Sequence, residues 1–250
     1  MLGLLWLAII RKIPMSSNIS YGQFCPLAMA AEFLCKRWMM LVLRELLLGS
    51  VSFNEISRGV ARMSRTLLSE RLKELEQRGL VIKETRSNQR DTQYTLTTSG
   101  KSLSSVVFGM ADWSQEWLHI EPSLEDIDAD HLIWSIRRSA RNHPDLPNPF
   151  IAHIQLSDQS KAHQNAWLIF DNDTVELCIN DHDFEVDVQV VATTESLTKV
   201  YLGWSNFPDE IAKKQISLFG LKQYTSIVDQ WLGQSRLANI KKQPRELRVS

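Results

Sequence analysis

The sequence predicts an α+β chain in two parts: a helical first half closed by a charged hairpin, and a second half in which strands are followed by helices. Three observations predict it. Apolar residues recur every three to four positions from Pro26 to Gly79 and again from Gly100 to His119, the period of helices buried on one face. Between Phe150 and Val190 the pattern changes to alternation and short apolar runs bounded by polar turns, which is strand-like. The charge also divides. Through Gly100 there are 14 Lys or Arg against 8 Asp or Glu, whereas residues 121–210 hold 17 acidic against 5 basic ones, so the net charge of -1 over 250 residues conceals a basic part and an acidic one. Acidic surface repels a phosphate backbone, so only the first part suits contact with nucleic acid. The length leaves room for a second hydrophobic core.

The first half opens with a long apolar-striped helix expected from Pro26 to about Gly49. Ser52-Phe53-Asn54-Glu55-Ile56 then reads as a capped short helix, and residues 57–63, with Gly59, as a compact connection. The segment from Ser64 to Gly79 reads as one helix with both ends marked. The Ser64 hydroxyl accepts from an otherwise unpaired N–H of the first turn, and Gly79 suits a left-handed stop. Leu68, Leu72 and Leu75 share one face. At about 100° per residue, Thr66, Glu70, Lys73 and Gln77 point the other way, with Arg65 and Ser69 on one flank and Arg71 on the other. Two helices joined this closely suit a helix-turn-helix. A helix entering a major groove needs such a split between apolar and mixed donor-acceptor faces, although a solvated amphipathic helix shows it too. Leu80 to Glu84 and Thr92 to Leu96 are expected as strands of a wing around the polar tip 85–91. There Arg86, Gln89 and Arg90 are placed to reach phosphates or the minor groove, and an ordinary solvated hairpin is the competing reading.

Residues 100–119 continue as a helix whose Leu103, Val106, Val107, Met110, Trp113 and Trp117 make it more apolar than a free helix needs. Either a dimer seam or packing against the first helix accounts for this. After a break at Glu121-Pro122-Ser123, a helix is expected from Asp126 to Arg138, then a proline-rich connection at 143–149. Strands are expected at 150–156, 165–170, 175–179 and 184–190, joined by turns short enough for an antiparallel meander. Helix resumes after Thr194, Gln215 to Phe219 adds a brief strand, and Leu221 to Leu232 closes helically. The implied division is an N-terminal extension at 1–20, a winged helix-turn-helix with a further helix at 21–120, an α+β unit at 121–235 and a tail at 236–250, with Lys241 to Ser250 polar and frayed.

No catalytic constellation is visible. Asp181-His182-Asp183 offers two carboxylates and an imidazole, but consecutive residues splay apart on strands and turns, so it reads as a solvated turn. There is no His-Glu-x-x-His, Cys-x-x-Cys or glycine-rich phosphate loop, and neither cofactor nor metal is expected. Three cysteines, Cys25, Cys35 and Cys178, do not make a disulfide framework, which fits a reducing cytoplasm. The apolar run within the first fifteen residues is too short for the roughly 20 residues of a membrane span, and Arg11 and Lys12 follow it rather than precede it, unlike an export signal. Met15 offers an alternative start.

These residues bring a resemblance into view. Cys25-Pro26, Arg37-Trp38, Leu43-Arg44-Glu45-Leu46 with Gly49, Phe53-Asn54-Glu55-Ile56, Leu68 to Leu75, Gly79-Leu80 and Tyr94-Thr95-Leu96-Thr97 with Gly100 occur in one order. In this the first half resembles the HxlR-type winged helix-turn-helix transcriptional regulators, a MarR-related group. Cys35-Lys36 departs from that family's glycine pair, and the wing tip lacks its frequent prolines. The resemblance implies a homodimeric repressor on a double-stranded DNA operator, with Ser64, Arg65, Thr66, Ser69, Glu70, Arg71, Lys73 and Gln77 in the groove. It implies that the helix of residues 100–119 is the dimer seam. It also implies a redox role for Cys25, which precedes Pro26 at a helix start where N–H groups and the helix dipole favour a thiolate; a structural cap or buried thiol is the alternative. Trp167-Leu168-Ile169-Phe170, Val175-Glu176-Leu177-Cys178, Phe184-Glu185-Val186-Asp187 and Leu197 to Gly203 resemble a sterol-carrier-protein-like domain, with Asp181-His182-Asp183 replacing its Asp-Pro-Gly turn. Such a domain implies a hydrophobic small-molecule effector, with Trp167, Phe184, Trp204, Phe219 and Trp231 lining its cavity or simply filling its core. A hydrophobic-ligand carrier whose winged helix serves assembly is the second reading.

Overall fold

The structure is a computed structural model that describes residues 20–85, 92–119 and 127–249. Its first helical stretch differs from expectation. Instead of one long helix there are two, α1 (Pro26–Leu34) and α2 (Met39–Leu47), separated at residues 35–38. Lys36 N–H donates to the Phe33 carbonyl at 3.3 Å and Met39 N–H to the Lys36 carbonyl at 3.0 Å, tight turn bonds in place of helical ones. Trp38 takes a left-handed conformation, φ 76°. That costs a side-chain-bearing residue roughly 1–2 kcal/mol, and the packing of Trp38 onto the first core offsets it. The carbonyl of Arg37 exposed by the break accepts from Arg71 Nε at 3.2 Å.

The short helix is α3 (Phe53–Gly59), closed at its start by reciprocal bonds: Glu55 N–H donates to Ser52 Oγ at 3.2 Å, and Ser52 N–H to Glu55 Oε2 at 2.9 Å. Partial burial raises the Glu55 pKa, but the bonds from the Ser52 and Val51 amides outweigh it and hold the carboxyl below its ordinary range. Gly59 belongs to α3 rather than to the connection. Next comes α4 (Arg65–Gln77), with Leu67 N–H donating to Ser64 Oγ at 3.3 Å and Gly79 at φ 70° ending it, as its sequence predicts. The wing strands β1 (Val81–Thr85) and β2 (Thr92–Leu96) pair antiparallel with Val81 opposite Leu96. A short α5 (Thr98–Ser102) precedes α6 (Ser104–Trp117), so the expected helix jogs at Leu103. Met39, Leu43, Ile56, Leu68, Leu72 and Leu75 are fully or almost fully buried in one core.

The second half begins with α7 (Ala129–Ser139), capped by Asp128, whose Oδ1 accepts from His131 N–H at 3.0 Å. Then follow β3 (Phe150–Leu156), β4 (Asn165–Asp171), β5 (Thr174–Cys178), β6 (Val188–Ala192), α8 (Thr194–Tyr201), α9 (Phe207–Ala212), β7 (Ile216–Gly220), α10 (Lys222–Thr225) and α11 (Val228–Leu232). The strand order is β5-β4-β3-β6-β7. The expected antiparallel meander holds for β3 to β5, but the sheet is mixed because β6 pairs parallel with β3. The chain crosses from one side of β3 to the other before β6, and thus enters it in the same direction. The crossing also delays that strand from Phe184 to Val188; Asp187 instead locks onto Ile151, accepting from its N–H at 2.8 Å and donating its own N–H to its carbonyl at 2.9 Å. Alternate residues Phe150, Ala152, Ile154 and Leu156 face a core shared with Leu168, Phe170, Val188 and Val190 and with Ile136, Leu197 and Trp231 from the helices.

The last residues are docked rather than frayed. Gln243 and Val249 N–H groups donate to the Glu116 and Trp117 carbonyls at 3.0 and 2.9 Å, and His119 N–H donates to the Val249 carbonyl at 2.9 Å. The last carbonyls of a helix have no partner within it, and the terminal segment satisfies those of α6.

Candidate nucleic-acid interface

The α4 core face, Leu68, Leu72 and Leu75, fixes which residues look outward. Ser64, Arg65, Thr66, Ser69, Glu70, Lys73 and Gln77 are all exposed along its other side. Arg65 is held in place across the turn: its Nη2 donates to Asn54 Oδ1 at 3.1 Å, and its guanidinium lies 4.6 Å from the Phe53 ring centroid. This cross-brace fixes the start of α4 to the start of α3. Sequence reasoning does not single out Asn54 as part of the interface; its place in Phe53-Asn54-Glu55-Ile56 is the one available signal.

Arg71 departs from the expected role. It is half-buried, donates to the Arg37 carbonyl, and lies 3.8 Å from Glu74, so it braces the α1–α2 junction instead of projecting with its neighbours. Glu74 also receives Lys36 at 2.7 Å and Arg78 at 3.5 Å. The wing-tip candidates Arg86, Gln89 and Arg90 lie outside the described residues.

In the second half, the five aromatic candidates do not converge. Trp231 is fully buried in the core, its ring 5.1 Å from Phe150 and 5.8 Å from Phe170, with Nε1 donating to the Tyr224 carbonyl at 2.9 Å. Alternation along β4 turns Trp167 to the opposite sheet face, where it stacks on His153 at 4.7 Å with Phe184 at 6.3 Å. Phe219 is exposed, and Trp204 lies beneath Lys242, whose Nζ is 3.9 Å from its ring centroid. A cleft of about 710 Å³ instead opens between the halves, walled by α2, α6, α7, α8 and residues 234–239.

Asp181, His182 and Asp183 form an exposed turn, with Asp183 N–H donating to Asp181 Oδ1 at 2.9 Å. Among the described residues, no three His, Cys, Asp or Glu side chains are grouped to hold a metal ion, and no helix is long and apolar enough to cross a membrane. Cys25 is exposed at the start of α1 and makes no capping bond; Cys35 is exposed and Cys178 half-buried.

A short helix, a tight turn, a second helix with an outward polar row and a two-stranded wing together define a winged helix-turn-helix of the DNA-binding regulator class. The HxlR-like helix-turn-helix family model matches residues 33–122. The HTH-type transcriptional regulator YvaP of Bacillus subtilis (strain 168) is 38% identical over 113 residues, which are 43% of this chain and 100% of YvaP. YodB, another HTH-type transcriptional regulator of the same strain, is 35% identical over 95 residues, 37% of this chain and 85% of YodB. The solved reduced form of B. subtilis YodB covers 37% of this chain and 93% of its own, at 35% identity and a TM-score of 0.33. The chain belongs to the HxlR-like helix-turn-helix family and is a transcriptional regulator of that type.

Proposed function

We propose that the protein is a dimeric repressor that inserts α4 of each subunit into successive major grooves and changes its operator affinity in response to a signal. The observation that carries the DNA-contact assignment is the outward row of α4 with Arg65 braced at its start, a rigid presentation of donors and acceptors. In this reading Ser64, Thr66, Ser69, Glu70 and Gln77 face base edges and Arg65 and Lys73 reach phosphates, with the wing on flanking backbone. The dimer seam is the outer side of α6, where Val106 and Trp113 are 48% and 51% exposed, together with Leu27 of α1 at 77%. Exposed apolar side chains of this kind fit a second copy of the chain.

The second half, whose sequence resembles a sterol-carrier-like unit, is the sensing part. Cys25 is the candidate redox contact: it is exposed beside the α1 end of that seam. Replacing Arg65 and Lys73 with Ala tests the DNA assignment. Binding to the operator is expected to weaken with a shallower salt dependence, by up to about one unit of slope for each phosphate no longer neutralised; an unchanged slope contradicts the assignment. For Cys25, oxidant is expected to release DNA from the wild type and not from Cys25→Ser.

A further inference from the structure

The cleft between the two halves has an unusual wall. Arg44 of α2, Arg138 of α7 and Arg141 just after it line it, as does Arg236 of the C-terminal segment, which is already paired with Asp112 at 2.6 and 2.9 Å, and no Asp or Glu is among its described lining residues. Glu45, fully buried just behind, answers two guanidinium groups with one carboxylate: Arg44 Nε donates to Oε1 at 2.9 Å and Arg138 Nη2 to Oε2 at 2.8 Å. That leaves the pair of arginines one positive charge in excess. Nη1 of Arg138 and Nδ1 of His131, both buried on lining residues, have no hydrogen-bond partner among the described residues. Burial, and next to it the charge of Arg44, pushes His131 down to about 4, so the imidazole is neutral near pH 7 and available as a hydrogen-bonding group. Uncompensated cationic groups removed from water are costly unless an anion meets them.

The same cleft has an apolar part, formed by Met40 and Leu41 of α2, Val107 and Ala111 of α6, and Leu202 after α8. About 710 Å³ lies in the range of small-molecule sites, and an apolar body with a few convergent polar groups is their usual composition.

We infer that this cleft binds a small amphipathic carboxylate, its acid group toward Arg138 and Arg141 and its hydrocarbon body against α2 and α6. This rests on the regulator reading above and names the site and chemical class of its effector. The ligand would touch α2 and α6, which belong to the winged helix, and at the same time α7, α8 and residues 234–239 of the sensing half. Occupancy therefore favours one relative placement of the two, and α2 in turn packs on α4 through the shared core.

Decanoate titrated into the full-length protein by calorimetry without DNA, with decan-1-ol as the uncharged comparison, tests this. Saturable binding of one decanoate per chain is expected, with the alcohol at least tenfold weaker. Arg138→Gln should weaken decanoate at least tenfold, about 1.4 kcal/mol. Arg141→Gln, at an exposed position with no ion pair among the described residues, should weaken it severalfold without unfolding the chain. Ala111→Phe, which fills the cleft, should abolish it and leave the oligomeric state in sedimentation unchanged. Absent saturation, equal affinity for the alcohol, or full binding by Ala111→Phe overturns the inference. So does conversion of a dimer to monomer by Ala111→Phe, which would assign the cleft to a second copy of the chain. DNA binding measured separately on the same samples distinguishes the two readings: decanoate bound without any DNA binding removes the regulator role but not the site, and the converse removes only the site.

Discussion

Gly59→Ala is expected to destabilise the protein although it places a better helix former at the last residue of α3. A methyl at position 59 would meet Glu45 Oε2 at 1.8 Å, Cδ at 1.9 Å and Cγ at 2.6 Å. Glu45 has no room to yield, being fully buried and fixed on one side by Arg44 at 2.8 Å and on the other by Arg138 at 2.8 Å. Moving its carboxylate breaks a pairing that ties α2 of the winged helix to α7 of the second half. Helix propensity favours the alanine by at most about 1 kcal/mol at this terminal position. Removing the partner of a buried charge costs about 3–5 kcal/mol, so the net expectation is a destabilisation of about 2–4 kcal/mol. Urea denaturation followed by circular dichroism measures it, and a double-mutant cycle with Glu45→Ala isolates the cause. Once the Glu45 side chain is removed, Gly59→Ala should be neutral or stabilising. Stabilisation by Gly59→Ala in the wild-type background, or an equal destabilisation in both backgrounds, refutes the reasoning.

Acid sensitivity should trace partly to His131. With its folded pKa near 4 against an unfolded 6.5, its contribution is fully present above pH 6.5 and is lost as pH falls toward 4, because the unfolded chain gains the proton first. At about 1.4 kcal/mol per pH unit this amounts to about 3 kcal/mol, and His131→Gln should flatten the stability profile across that window; an unchanged profile contradicts it. Arg71→Ala should lower the urea midpoint by removing the bond to the Arg37 carbonyl. It should leave operator sequence preference intact, and altered preference would return Arg71 to the DNA face.

The helix-turn-helix was legible because each of its decisions is local. Ser52 and Ser64 cap, Gly79 stops, and three leucines at helical spacing fix which face of α4 is buried. The break at residues 35–38 was not legible, since a left-handed tryptophan is tolerated only through packing and a bond from Arg71, thirty-four residues from Arg37. The same long-range bond withdraws Arg71 from the outward row. Strand positions in the second half follow from alternation, but alternation carries no information about which neighbour a strand takes, so the parallel pairing of β3 and β6 is invisible to it. Aromatic content suggests a cavity inside the second half, whereas the cleft arises where residues from α2, α6, α7 and the C-terminal segment meet, and no local pattern signals that meeting.

The most direct test is the affinity of the purified protein for DNA from its own upstream region against a scrambled duplex of equal length, across several salt concentrations at fixed dimer concentration. Sequence-selective binding that weakens steeply with salt is the predicted result. Equal binding to both duplexes, or none to either, would contradict the assignment of α4 as an operator-reading helix.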